Sequence, residues 1–190
     1  PASAASFSAL LNSVKYVNNA AAMGAGDRTI DVTASDGAQS SNFATTIVSV
    51  VPNLSPVISG TATVAYVEDK GSVPVGANII ITDPDSGTML SARIRLENPQ
   101  DGNKEVIGVT TSGTPLVAQY DASTYTISIF DPSGAAVTKA QMQSVLRTLR
   151  YANTAQPPNT TTRNIVVQVN DGATDSVPAT IDVTVSRYQG

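Results

Sequence analysis

The chain aligns with itself: residues 7–50 match residues 142–185 at a constant offset of 135, without a gap. Chance rarely holds one register over such a length, so the alignment indicates an internal repeat with a period of about 135 residues. Identical pairs include Leu11 and Leu146, Tyr16 and Tyr151, Asn18 and Asn153, Arg28 and Arg163, Ser41 and Ser176, and the Asp-Gly-Ala runs at 36–38 and 171–173. Residues 1–52 are therefore expected to be the C-terminal third of one repeat, and residues 53–190 one complete repeat. The two prolines between Val51 and Pro56 suit a short, stiff linker.

The complete repeat has the pattern of many short β-strands. Alternating or short apolar runs predict strands at 61–67, 77–82, 89–97, 104–109, 115–119, 124–130, 148–152, 163–169 and 177–185. Asn170-Asp171-Gly172 is a strong turn signal before the last of them. One short helix is predicted near 139–147, capped by Thr138. This pattern predicts an all-β fold, an Ig-like or cadherin-like antiparallel β-sandwich with that one helix.

The missing residue types exclude much chemistry. The chain has no His and no Cys, so no Ser-His-Asp triad, thiol nucleophile or Cys-zinc site can form. Glu97 and Glu105 are the only pair that suggests a glycosidase, and no aromatic platform accompanies them. A formal net charge of −4 argues against nucleic acid, and no apolar run approaches the roughly 18 residues of a membrane span. We expect a non-enzyme. No signal peptide is visible, and we expect a piece of a longer or processed protein.

The acidic residues point to loops and to calcium. Twelve of the fifteen are Asp, which favours turns, and Asp83 and Asp85 lie in one tight Asp-Pro-Asp-Ser-Gly loop. Calcium takes six to eight oxygen ligands, and clustered carboxylates need a cation to neutralise their repulsion. In an Ig-like sandwich this loop lies at the same end as Asp171 and the linker residue Asn53. These four residues are candidate calcium ligands, with Asp27 of the preceding repeat as a further one.

A second candidate group comprises Glu68, Asp69 and Asp131, which we expect at the opposite end, facing the next repeat. The alternative for all these acidic residues is that they only shape turns, as Asp-Pro and Asp-Gly commonly do. For the recurring Arg28 and Arg163 we expect a strand-edge ion pair or hydrogen bond, and for Tyr16 and Tyr151 a packing role.

Three stretches of the sequence carry a family resemblance. They are "YVEDKGSVPV", "ITDPDSGTML" and the run "VLRTLRYANTAQPPNTTTRNIVVQVNDGATDSVPATIDVTV". They resemble the bacterial cadherin-like repeats of large secreted adhesins and biofilm matrix proteins, which are related to repeats of the FRAS1/NG2 proteoglycan type. The resemblance implies an extracellular or cell-surface module that binds Ca²⁺. The linker departs from the family, which often has Asn-Asp-x-Pro where this chain has Asn53-Leu54-Ser55-Pro56, so one carboxylate is missing at the junction.

The leading functional hypothesis is a non-enzymatic structural or adhesion module, a calcium-stiffened repeat of a long surface adhesin or fibre. Its partners would be neighbouring repeats of the same or identical chains. One alternative is a subunit of a filament or surface layer, a homopolymer whose copies complete each other by strand complementation. A second alternative is a carbohydrate-binding β-sandwich that recognises cell-surface or matrix glycans.

Overall fold

The first of two units, Pro1–Pro52, contains one helix and one β-hairpin. The computed structural model describes residues 2–20 and 23–190. Helix α1 spans Ala4–Leu11, and the antiparallel strands β1 and β2 span Gly26–Val32 and Ala44–Val50. The second unit, Asn53–Gly190, contains all the remaining elements. Among the described residues, no helix is long and apolar enough to cross a membrane.

The second unit consists mainly of short strands joined by turns. They are β3 (Val57–Ser59), β4 (Val64–Val67), β5 (Val73–Pro74), β6 (Ile80–Thr82), β7 (Thr88–Met89), β8 (Ser91–Leu96), β9 (Glu105–Gly108), β10 (Val117–Asp121), β11 (Thr126–Phe130), β12 (Val137–Thr138), β13 (Arg150–Asn153), β14 (Arg163–Asn170) and β15 (Ala179–Ser186). A 3₁₀ turn at Gly102–Lys104 precedes β9, and helix α2 spans Lys139–Leu146. The all-β fold class is confirmed.

The strands form one large sheet and several small ones. The large sheet has the order β10-β11-β8-β14-β15-β4, and the small sheets are β5-β13-β9, β3-β6 and β12-β7. The prediction of a wholly antiparallel sandwich is wrong at one edge, because β4 pairs with β15 in parallel. Parallel strands need a long connection, and the connection from β4 to β15 includes most of the unit.

One hydrophobic core lies between the large sheet and the small sheets. On β14, buried and half-buried residues alternate, so Ile165 and Val167 point inward with no exposed surface. They belong to the same cluster as Ile81 and Ile107 from the small sheets. Period-two alternation thus produces the burial that the strand pattern predicts.

Helix α2 closes the core where the sequence predicts a helix. Thr138 and Gln141 form a capping box, in which the side-chain oxygen of each residue accepts a hydrogen bond from the backbone amide of the other. Met142, Val145 and Leu146 are the buried residues of this helix, and Leu149, just after it, has no exposed surface.

The prediction of a single helix is wrong, because α1 is a second one. It lies 135 residues before α2, in the register of the sequence repeat. Ser3 caps it as Thr138 caps α2, accepting a hydrogen bond from the Ser6 amide at 3.2 Å. Because capping and helix propensity act locally, the same helix forms in both copies.

Candidate functional site

The Asp83–Gly87 loop follows strand β6 and holds a buried carboxylate. Asp83 is only 7% exposed. Its Oδ1 accepts hydrogen bonds from the amides of Ser86, at 2.9 Å, and Asp85, at 3.2 Å. Its Oδ2 is buried and has no hydrogen-bond partner. A buried carboxylate oxygen without a donor is costly, so this atom is the one in the loop best suited to a cation.

The linker connects this loop to the turn before β15. The side-chain amide of Asn53 donates to Asp171 Oδ2 at 2.8 Å and to Thr174 Oγ1 at 2.9 Å. The backbone amide of Leu54 donates to Asp85 Oδ2 at 2.9 Å. The structure therefore brings Asn53, Asp85 and Asp171 to one end of the second unit, the end where the chain enters it.

Asp171 organises its own turn as well. Its Oδ1 accepts from the amides of Ala173, at 2.7 Å, and Thr174, at 2.8 Å. Partial burial raises the pKa of the Asp171 carboxyl, but the hydrogen bonds from Thr174, Asn53 and Ala173 outweigh it and hold that pKa below its ordinary value. The turn-shaping role is thus visible for this residue.

The fit of these residues to calcium is partial. Within residues 2–20 and 23–190, no group of three or more carboxylates converges closely enough to hold a metal ion. The linker amides already occupy one oxygen of Asp85 and one of Asp171, and Lys139 Nζ donates to the backbone oxygen of Asp83 at 2.9 Å. The feature that suits a cation is the unpartnered Asp83 Oδ2, and calcium binding here stays a prediction.

Glu68 and Asp69 lie apart from this group, next to the last residues of β15. Glu68 Oε2 accepts from the Tyr188 amide at 3.1 Å. Asp69, which has a positive φ of 65°, accepts from the side-chain amide of Gln156 at 2.8 Å. β4 and β15 are parallel and end together at Val67 and Ser186, so this is the end opposite Asp171, where the sequence places them.

Asp131 is not at the Glu68 end, so that part of the prediction is wrong. It follows Phe130, which pairs with Ser91, and Ser91 in turn pairs with Asn170. Because β11 runs antiparallel to β8, the end of β11 lies at the Asp171 end of the sheet. Asp131 there caps its own turn, accepting from the Ser133 amide at 2.8 Å.

Asp27, the residue predicted from the preceding repeat, lies in β1 of the first unit. There it pairs with Ser49 of β2 and is exposed.

A buried polar network lies elsewhere in the second unit, around Arg163. Its guanidinium, with no exposed surface, forms ion pairs with Glu105, which is also buried, and with Asp101, at 2.9 Å. It also donates to the backbone oxygens of Thr161 and Asn159. The expected ion pair therefore exists, but β14 is an inner strand of the large sheet, so the pair is buried and not at a sheet edge.

Two further side chains complete the network. Tyr151 donates its hydroxyl to Glu105 at 2.8 Å, and its ring meets that of Tyr66 edge to face, with centroids 5.3 Å apart. Asn153 donates to Asp101 at 2.7 Å. Burial and the bond to Glu105 raise the pKa of Tyr151 far above its ordinary value. Since Glu105 is enclosed by this network, it has no access to a substrate, and the glycosidase pair with Glu97 has no geometric support.

Comparisons with known proteins give only distant structural similarity. No family model and no curated protein matches the chain. Among solved structures, the chain is similar to a cohesin module from the family 33 glycoside hydrolase of Clostridium perfringens ATCC13124. That similarity has a TM-score of 0.41 and 10% sequence identity, and it covers 70% of this chain and 97% of the cohesin module.

The outer face of the large sheet holds a shallow polar groove that the sequence analysis did not identify. Two depressions of about 300 and 250 Å³ share Arg93 and Gln168 as lining residues. Arg93 and Arg95 are both exposed, two residues apart on β8. The sequence signal for this groove was the alternation of Arg with apolar residues on β8, which places both arginines on the outer face of the sheet.

Sequence reasoning also missed the partners of Arg163. The available signal was the recurrence of Tyr, Asn and Arg at a fixed spacing in both copies, within otherwise apolar strands. Asp101 and Glu105 have no counterpart in the first unit, so the repeat could not reveal them.

Proposed function

We propose that this chain is a non-enzymatic structural or adhesion module, part of a tandem array on an extracellular fibre or adhesin. Its work is to extend and space the parts that it joins. Calcium bound at the linker end of each repeat, through Asp83 and Asp85 with Asn53 and Asp171, reduces bending between neighbours.

The observation that carries this proposal is the recurrence of one local structure in a single chain. In the first unit Arg28 pairs with Val48, and at the same offset of 135 Arg163 pairs with Val183. The isolated bridge Ser35–Ser40 recurs as Asn170–Asp175. A chain built from stacked copies of one module is suited to length and spacing.

Calcium enters the proposal through Asp83. A cation at its unpartnered Oδ2 would neutralise a buried carboxylate that the protein leaves unsatisfied. Asp85 and the linker-bound Asp171 would supply further oxygens only by closing toward Asp83, since the three carboxylates do not converge closely enough to hold an ion as they lie. Asn53 links this end of the unit to the chain that enters it. A site there would connect ligand binding to the stiffness of the junction.

Thermal unfolding in calcium and in excess chelator tests the site. With a dissociation constant of 10⁻⁴–10⁻³ M, the range of extracellular modules, 10 mM calcium should stabilise the second unit by about 1.4–2.7 kcal/mol. The double variant Asp83→Asn with Asp85→Asn should lose the response. The control, Glu97→Gln, an exposed acid outside both groups of candidate ligands, should keep it. Equal melting temperatures in calcium and chelator would leave these residues with only a turn-forming role.

Stiffening has its own measurement, because the chain has no Cys and can be labelled at chosen sites. Spin labels at Ser40→Cys and Ser123→Cys, one exposed position in each unit, report the spread of distances between the units. Calcium should narrow that spread in the natural sequence but not in the Asp83/Asp85 variant. An unchanged spread would contradict the stiffening role.

The polar groove favours glycan binding as a second candidate function. The exposed Arg93 and Arg95 have no carboxylate within ion-pair distance in the described chain, and Gln168 and Ser128 provide neutral hydrogen-bonding groups beside them. The lining of the two depressions also includes one carboxylate each, Asp175 and Glu97, neither of which pairs with these arginines. Such a surface suits an acidic polysaccharide. Calorimetric titration with a polyuronate should give binding that Arg93→Ala with Arg95→Ala abolishes and that Arg187→Ala, outside the groove, leaves intact. Equal binding by both variants would remove this candidate.

A further inference from the structure

The first unit carries an apolar face whose counterpart in the second unit is fully buried. Four pairs of equivalent side chains differ in their exposed fraction. Phe7, Leu11, Val14 and Tyr16 are 45%, 40%, 58% and 40% exposed, whereas their equivalents Met142, Leu146, Leu149 and Tyr151 are all 0% exposed. We call these four side chains of the first unit, with Arg28, the first-unit face. The residue types match, so their difference in exposure comes from what lies over them.

The backbone around this face already has the form it takes in the second unit. α1 and α2 occupy equivalent positions in the repeat, and the chain after each helix makes the same hydrogen bond. The Val14 amide donates to the Leu11 backbone oxygen at 3.2 Å, and the Leu149 amide donates to that of Leu146 at 3.1 Å. The two hairpins have the same register. The helix and the hairpin, which carry Phe7, Leu11 and Arg28, are therefore prepared locally and do not need to refold to be covered.

In the second unit, the cover is the segment 57–130, which we call the cover segment. It contributes β9, which pairs with β13 and sets Ile107 opposite Tyr151, and β5 on the other side of β13. The equivalent of β13 in the first unit, residues 15–18, forms no strand. Because strand pairing needs a neighbour, this stretch lacks the element that orders its counterpart.

The charge of Arg28 restricts which segment could cover the first-unit face. Arg163 is neutralised by Asp101 and Glu105, both in the cover segment. Arg28, its equivalent, instead donates to the backbone oxygens of Gly26, at 2.9 Å, and Gly24, at 3.1 Å. A cover that buried Arg28 without a carboxylate would leave an uncompensated charge, which is strongly destabilising.

The first unit also has a cleft where cover would enter. It measures about 780 Å³ and is lined by Phe7, Leu11 and the turn at 34–41. At the equivalent place in the second unit, the Leu90 amide of the cover segment donates to the Asn170 backbone oxygen at 2.7 Å. The cleft thus corresponds to space that the cover segment occupies in the complete repeat.

We propose that the first-unit face binds a polypeptide segment of the kind of residues 57–130, with acidic side chains at the positions equivalent to Asp101 and Glu105. This rests on the proposed role as a tandem-repeat module. A second copy of this chain does not supply it: each chain has two such faces, at 7–50 and 142–185, and one cover segment. If one copy placed its cover segment on the first-unit face of another, the 142–185 face of the donating copy would lose its cover. Packing two first-unit faces together would bring two Arg28 side chains into one apolar interface.

A fusion protein tests the proposal. Residues 53–141 are placed directly before Phe7 of the chain, so that the added copy meets residue 7 in the way that residue 141 meets residue 142. Hydrogen exchange then compares residues 28–50 with residues 163–185. In the unfused chain the amides of 28–50 should exchange at least 100-fold faster than those of 163–185. In the fusion the exchange rates of the two stretches should become similar.

Two matched fusions isolate the carboxylates. Asp101→Asn with Glu105→Gln, made in the added copy alone, should lose at least tenfold of the gained protection. Glu97→Gln in the added copy, an exposed acid outside the network, should lose none. Equal protection in both fusions would overturn the charge argument, and a fusion that leaves 28–50 as fast as before would overturn the docking surface.

Hydrogen exchange of the unfused chain at several protein concentrations tests whether a second copy of the chain covers the face. If 28–50 in the unfused chain becomes protected as a dimer forms, a second copy covers the face and the proposal is wrong. The unfused chain holds a single copy of residues 53–141, so its calcium response, measured without any fusion, reports the proposed function separately from the docking surface.

Discussion

Arg163 and Glu105 form an ion pair in which neither side chain has any exposed surface, although 58 residues separate them in the sequence. The pair joins the start of β14 in the large sheet to the start of β9 in a small sheet, so it crosses the core between the layers. Tyr151 adds a hydrogen bond to the same Glu105 oxygen. The network therefore ties the C-terminal third of the repeat to its cover.

Removing Glu105 should be costly, because it leaves the buried Arg163 guanidinium with only the Asp101 carboxylate and leaves the Tyr151 hydroxyl without its acceptor. Glu105→Ala is expected to lower the free energy of unfolding of the second unit by about 3–5 kcal/mol, as measured by urea denaturation. Glu97→Ala, at an exposed position, should change it by no more than about 0.5 kcal/mol. The double variant Glu105→Leu with Arg163→Met should cost less than the sum of the single changes. Additive costs would contradict the coupling.

Tyrosine ionisation should make the second unit sensitive to alkali. Burial, reinforced by the Glu105 carboxylate, raises the pKa of Tyr151, and burial raises that of Tyr66. A raised folded-state pKa gives stability that is fully present below the unfolded pKa of about 10 and is lost as the pH rises above it. We expect urea unfolding to show a fall above about pH 10 that Tyr151→Phe makes shallower. A slope unchanged by Tyr151→Phe would contradict this.

The repeat offers a matched pair of leucines for measuring what the cover contributes. Leu146 is fully buried and Leu11 is 40% exposed, yet they occupy equivalent positions on α2 and α1. Leu146→Ala should cost about 2–5 kcal/mol, and Leu11→Ala should leave the unfolding of the second unit unchanged. Denaturant unfolding followed by signals from residues 53–190 decides the matter, and similar costs for the two variants would contradict the difference in burial.

Two glycines share a φ of 76° but differ in their surroundings. A Cβ on Gly60 would lie 1.8 Å from the Asn78 backbone oxygen, whereas a Cβ on Gly71 would meet nothing within 4 Å. Both Gly→Ala changes carry the strain of a positive φ, on the order of 1 kcal/mol, but only Gly60→Ala also forces backbone apart. We expect Gly60→Ala to lower the melting temperature by several degrees more than Gly71→Ala. Equal shifts would show that the backbone accommodates the contact.

Much of the local structure was predictable because its causes lie within a few residues. Thr138 predicts the start of α2, the alternation on β14 predicts its buried face, and Asn170-Asp171-Gly172 predicts a turn. The repeat also contained the information for α1, since its capping residue and apolar positions lie at the same offset as those of α2. The placement of Asn53 and Asp85 beside Asp171 followed from topology, but Asp131 did not, because its position depends on the direction in which β11 pairs with β8.

The sequence by itself determined the period of 135 residues, the all-β class and the register shared by the two hairpins, since turns, caps and alternation depend on neighbours along the chain. Only the tertiary structure decided which of two equivalent side chains is buried, as with Leu11 and Leu146, and which acid neutralises Arg163. It also decided that Asp83 keeps one oxygen without a partner. Burial and ion pairing depend on what packs against a residue, and those partners come from distant segments whose approach no local pattern encodes.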